Sequence, residues 1–240
     1  MMKASRVRFG LALALLCVSS IAMLAQNPDS SKASDEKLVY ADFQKLDNGR
    51  LVSSRGGRTQ LNHWAQNMGA APKMKGLENA EPPAPAPARV TDQDTAAAFE
   101  YEMRLPNEWA GVNMEVFGQP EKDGKPVADD VSGYKYITMR LFAKRQSADQ
   151  GPQSVRVELV SRGLGVNLES GYPQMTFRIS PGFNVYKFKL NDFRQPEWAT
   201  HLDFKQDILK KLTSVTIGVF CDKCRMESGT VVVDNLTFEK

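Results

Sequence analysis

Trp109, Arg140, Arg156, Glu158 and Tyr172 are the side chains of this 240-residue chain whose types and spacing suit recognition chemistry. Flat rings stack on the C–H faces of a pyranose, and planar polar groups hydrogen-bond its hydroxyls in two directions. Over Tyr136 to Phe142, alternation assigns Ile137, Met139 and Leu141 to a core and leaves Tyr136, Thr138, Arg140 and Phe142 on the other face. The same treatment of Val155 to Leu159 turns Arg156 and Glu158 away from the core. If these two segments are neighbours, an aromatic surface carrying Arg and Glu results. Trp109, between Asn107-Glu108 and Ala110-Gly111, reads as a loop lip, and Tyr172, between Gly171 and Pro173, as a second one. The charged members read equally as ordinary cross-strand pairs, and Trp64, Trp109 and Trp198 as core fillers.

Catalytic chemistry finds less support. A glycosidase needs two carboxyl groups at a set separation, and Glu100, Glu102, Glu115 and Glu158 are candidates, although glutamates on a sheet surface are the ordinary case. The sequence has no G-x-S-x-G, no H-E-x-x-H and no phosphate-binding loop. The glycines of Ser161-Arg162-Gly163-Leu164-Gly165 are not followed by a helical pattern. A non-enzyme without catalytic residues or a required cofactor is expected.

The elements that must position these side chains are strands. Lys3, Arg6 and Arg8 precede the apolar run Leu11 to Val18, with small residues after it, the pattern of a secretory signal peptide over residues 1–25. The apolar run is too short to span a bilayer, so a periplasmic or extracellular location is expected. The chain has 31 Lys+Arg against 28 Asp+Glu. Cleavage removes three bases and no acid, which leaves a balanced remainder with no electrostatic footprint for nucleic acid. Residues 26–37 are polar and read as disordered. One domain is expected over 38–240, with a proline-rich insertion at about 68–92. Short alternating segments separated by turn residues argue for nine or ten strands in an all-β sandwich with antiparallel sheets; only the stretch near 205–212 has helical spacing.

The runs Thr213 to Phe220 and Thr230 to Phe238 flank a polar bend and read as neighbouring strands that close the sandwich. Cys221 and Cys224 sit in that bend. Export permits a disulfide between them, a local clip; a redox pair would be expected before a helix, and zinc would need more ligands than this pair supplies. Asp234 falls in phase with Val232, Leu236 and Phe238, so a regular strand would bury it, and a buried carboxylate needs a partner. A register slip at Asp234-Asn235 would turn it outward instead.

Three segments, Ala41 to Phe43 (ADF), Asp130 to Leu141 (DVSGYKYITMRL) and Val231 to Phe238 (VVVDNLTF), together resemble the galactose-binding-like jelly rolls. The likeness is to the family 11 carbohydrate-binding modules and to the domain of the complex I intermediate-associated protein of 30 kDa. It covers about Leu38 to Lys240. The resemblance implies a noncatalytic jelly-roll sandwich whose concave sheet holds a polysaccharide; the second branch implies instead a protein partner, in assembly of the cell envelope. It also implies a structural calcium tying the first and last strands, with Asp42 and Asp234 as ligands.

Overall fold

The computed structural model describes residues 36–65, 73–74, 84–91, 93–103, 109–146, 154–163, 171–222 and 227–240. The signal-peptide stretch, residues 26–35 and much of the proline-rich segment lie outside the described residues; Lys37, expected in the disordered leader, opens the first strand. The strands are β1 (Lys37–Ala41), β2 (Lys45–Asp47), β3 (Arg50–Val52), β4 (Thr59–Ala65), β5 (Lys73–Met74), β6 (Ala86–Thr91) and β7 (Asp94–Met103). They continue with β8 (Trp109–Phe117), β9 (Tyr136–Arg145), β10 (Ser154–Val160), β11 (Gln174–Arg178), β12 (Asn184–Lys189), β13 (Ser214–Asp222) and β14 (Glu227–Glu239).

Two antiparallel sheets stack face to face. One runs β12-β9-β14-β7-β5, with β1 also on β14 and β6 also on β7; the other runs β11-β10-β13-β8-β4. From β7 onward the chain changes layer at nearly every turn, and only β10 and β11 follow one another within a sheet. β13 and β14 are therefore not neighbours, contrary to the expectation from sequence. β13 lies between β8 and β10 in one layer, while β14 lies in the other between β9 on one side and β7 and β1 on the other. Consecutive apolar runs look alike whether their link is a hairpin or a crossing between sheets.

The inner faces supply the core. Ile137, Met139 and Leu141 of β9 and Val231 and Val233 of β14 meet Val155, Val157 and Leu159 of β10 and Val215, Ile217 and Val219 of β13, all buried. Each such side chain contributes about 1.5–3 kcal/mol by leaving water. On β14 the alternation breaks once: Asn235 takes φ +51°, and the register to β9 shifts between Asp234 and Thr237. This bulge changes the phase, so Leu236 and Phe238 point inward while Asp234 stays on the outer face with Val232.

The helical stretch is one π-type turn, Phe204–Ile208, capped by the Asp203 carboxylate, which accepts from the Lys205 and Gln206 amides at 2.9 and 2.8 Å. A 3₁₀ turn follows at Leu209–Lys211. The end of the proline-rich segment is a strand: β6, carrying Pro87, pairs with β7, a position on the sheet's flank that tolerates the missing N–H. Among the described residues, no helix is long and apolar enough to cross a membrane.

Candidate functional site

The outer face of the five-stranded sheet is built in cross-strand rows that follow from its register. One row reads Gln174, Glu158, Thr216, Glu115, Gln60 from β11 to β4. The next reads Thr176, Arg156, Gly218, Asn113, Asn62, and the third brings Phe220, Gly111 and Trp64 side by side. Above these rows lies a cleft of about 850 Å³. Trp64, Trp109, Phe220, Tyr172 and Trp198 supply its aromatic lining, and Arg156, Glu158, Arg162, Asn113 and Gln174 much of its polar lining.

The aromatic groups are held by specific contacts. Trp109 and Phe220 stack with centroids 6.4 Å apart and planes 25° from parallel, and each is 38% exposed. Trp64 lies against Gly111, where a Cβ would come within 2.3 Å of the indole. Trp198 is 71% exposed, which rules out a core-filling role. It is seated over Gly171, whose φ of +87° favours glycine and where a Cβ would come within 2.6 Å of the Ala199 Cβ.

The polar groups of the floor are arranged in depth. Glu115 is fully buried. One of its oxygens accepts from Ser214 Oγ at 2.7 Å and lies 3.5 Å from the Arg162 guanidinium; the other accepts from Gln60 Nε2 at 2.9 Å and Asn62 Nδ2 at 3.0 Å. Glu158 accepts from Thr216 Oγ1 at 3.2 Å and lies 3.8 Å from Arg156. Burial pushes the Glu158 carboxyl above the usual carboxylate range, against the opposing pull of Arg156 and Thr216. Arg156 lies over the Phe220 ring at 4.5 Å. Burial likewise raises the Tyr172 phenol.

Trp109, Arg156, Glu158 and Tyr172 thus come together in one cleft. Arg140 does not join them. β9 belongs to the seven-stranded sheet and β10 to the five-stranded one, so outward residues of the two strands point to opposite sides of the molecule. Arg140 instead bridges Asp94 at 3.1 Å and Asp234 at 2.9 Å, and its guanidinium lies over Phe183 at 4.5 Å.

That cluster also bears on calcium. Asp234 is fully buried, and its carboxyl is pushed up to about 6 by burial first and Asp94 second, opposed by Arg140 and Asn235. Its Oδ2 accepts from Arg140 and from Asn235 Nδ2, whereas Oδ1 has no hydrogen-bond partner. The Asp42 carboxylate accepts the Gln44 amide N–H at 3.4 Å within its own loop. Among the described residues, no three His, Cys, Asp or Glu side chains gather where they could hold a metal. The positive group facing Asp234 is a guanidinium, so this donor set does not fit calcium. Cys221 is buried and disulfide-bonded, next to Phe220 at the cleft's lip; Cys224 lies outside the described residues.

Phe220, Trp64, Trp198, Asn113, Gln174 and Arg162 also line the cleft and were not among the candidates from sequence. Phe220 had a usable signal, because Val215, Ile217 and Val219 in the core leave Thr216, Gly218 and Phe220 on the other face. Trp198 had none, since it stands on a loop whose path is set by tertiary contacts.

No protein-family model matches the sequence, and no curated protein matches it. Among solved structures, the family 11 carbohydrate-binding module of a cellulosomal cellulase of Clostridium thermocellum aligns over 85% of this chain and 94% of its own, at 9% identity and a TM-score of 0.50. The same organism's family 11 module in complex with a β-1,3-1,4-mixed-linked tetrasaccharide aligns over 85% and 94%, at 12% identity and a TM-score of 0.48. A carbohydrate-binding module specific for non-crystalline cellulose covers 85% of this chain and 99% of its own, at 15% identity and a TM-score of 0.39. The fold is an all-β jelly-roll sandwich. It resembles that of the family 11 carbohydrate-binding modules, and at such identities the likeness speaks for the fold alone.

Proposed function

We propose that this chain is an exported, noncatalytic module that binds a polysaccharide strand in the cleft over the five-stranded sheet. The observation that carries the reading is the cleft's lining. Three tryptophans, a tyrosine and a phenylalanine face one open trough together with guanidinium, carboxylate and amide groups, the combination that stacks on sugar rings and bonds their hydroxyls. The jelly-roll fold, shared with a carbohydrate-binding module, agrees with it. The carboxylates support a noncatalytic role. Glu158 is the one acid in the lining among the described residues, and Glu115 beneath it is occupied at both oxygens, whereas hydrolysis by a carboxyl pair needs two accessible groups.

Affinity electrophoresis through gels cast with soluble polysaccharides tests this. Retardation by at least one polymer, weakened in Trp109→Ala, is the expected result. No retardation by any polymer, combined with co-purification of one stoichiometric protein that leaves when residues 68–89 are deleted, would move the function to a protein-binding module. Export rests on the signal-like start of the chain, and fractionation of expressing cells checks it.

A further inference from the structure

The cleft over the five-stranded sheet carries an imbalance that neutral sugar does not explain. Its charged lining among the described residues is two guanidiniums, Arg156 and Arg162, and one carboxylate, Glu158. Acceptors and donors are used unequally. The Glu115 oxygens are filled by Ser214, Gln60 and Asn62, and Glu158 takes the Thr216 hydroxyl. Neither guanidinium makes a hydrogen bond among the described residues: Arg156 stands 3.8 Å from Glu158 with its Nε buried and unpartnered, and Arg162 stands 3.5 Å from Glu115. The charges are also layered. The Arg162 side chain is 51% exposed and Glu115 lies fully covered, so an approaching ligand meets the cations before the deepest acid. A neutral hydroxyl would leave most of this donor capacity unused, whereas a planar carboxylate fits a guanidinium fork with two parallel bonds.

We infer that the cleft is selective for an anionic glycan, the negative group of one sugar residue being held by Arg162 and Arg156 while neighbouring rings stack on Trp109, Phe220 and Trp198. The inference rests on the polysaccharide reading above and narrows it to sugars bearing a carboxylate or a sulfate ester. It assigns Arg162, which lies just beyond the end of β10, as a specificity-determining residue.

Isothermal titration with matched oligomers tests the inference. The ligands are a galacturonic acid hexamer, its carboxyl-reduced counterpart, a neutral mixed-linkage glucan oligomer and a sulfated galactan oligomer with its desulfated form. The uronate is expected to bind at least about tenfold tighter than its reduced form at low salt, the loss of one charge-assisted contact, and the difference should shrink as salt rises. Arg162→Gln should abolish the preference, read as the ratio of uronate to reduced-form affinity within the same variant; Arg162→Lys should keep part of it. A preference for the sulfated oligomer over its desulfated form, equally dependent on Arg162, upholds the anionic site with sulfate as its source. Equal affinity for charged and neutral members of both pairs would overturn the inference and leave the polysaccharide reading standing, as would a preference unchanged in Arg162→Gln. Absence of binding to every oligomer would overturn both.

Discussion

Replacing Arg140 by Met separates the two sides of the sandwich in one experiment. Met keeps an unbranched stem against Phe183 and removes the charge. The Asp234 carboxyl titrates at about 6 in the fold, against an ordinary value of 3.8, so folding favours its protonated form. The stability it lends is complete below about pH 4 and is lost as pH rises through about 6. Without the guanidinium, the charged form would face Asp94 in a buried site with no cation beside it, and protonation would persist to higher pH. Each further unit of retained protonation costs about 1.4 kcal/mol, so extending it from about pH 6 to 7.5 destabilises the variant by about 2 kcal/mol at the higher pH. At about pH 5 the carboxyl is mostly protonated in both proteins and the difference nearly vanishes. For a domain of this size that is a drop in Tm of about 4–8 °C at pH 7.5 and little at pH 5. Thermal melts followed by circular dichroism at the two values give the comparison, and polysaccharide affinity measured alongside should be unchanged, because Arg140 faces away from the cleft. An equal loss at both pH values, or weakened glycan binding, would refute the reasoning.

Three further outcomes are expected. Trp109→Ala and Phe220→Ala should each weaken polysaccharide binding about tenfold with little change in Tm, read by affinity electrophoresis, since both rings are partly exposed at the lip. Glu115→Ala should destabilise the domain by about 3 kcal/mol in urea unfolding, because it strands Ser214, Gln60 and Asn62, whereas Glu115→Gln should cost less and retain binding; an unchanged stability in the alanine variant would show the network to be unimportant. Dialysis against EDTA should leave Tm unmoved, the guanidinium of Arg140 being the cation that faces Asp234, and a fall of several degrees reversed by calcium would assign that carboxylate to a metal instead.

Much was legible in the chain alone because a strand's side-chain period is local. Ile137, Met139 and Leu141 on one face, Arg156 and Glu158 on the other, and a short helical turn near 205–212 all follow from alternation and turn residues within a few positions. The ambiguity at Asp234 could be named from the sequence but was resolved only by the bulge at Asn235, whose left-handed backbone returns Leu236 and Phe238 to the core. Which strands lie together was not legible. Arg140 and Arg156 have the same local pattern, yet they sit on opposite outer faces, because the chain crosses between layers where a hairpin would have kept it within one. The cleft shows the same division. Its residue types could be named from the sequence, but the meeting of Trp64 with Gly111, Trp198 with Gly171 and Arg162 with Glu115 depends on pairings 27 to 47 positions apart, and only the stacked sheets bring those pairs into contact.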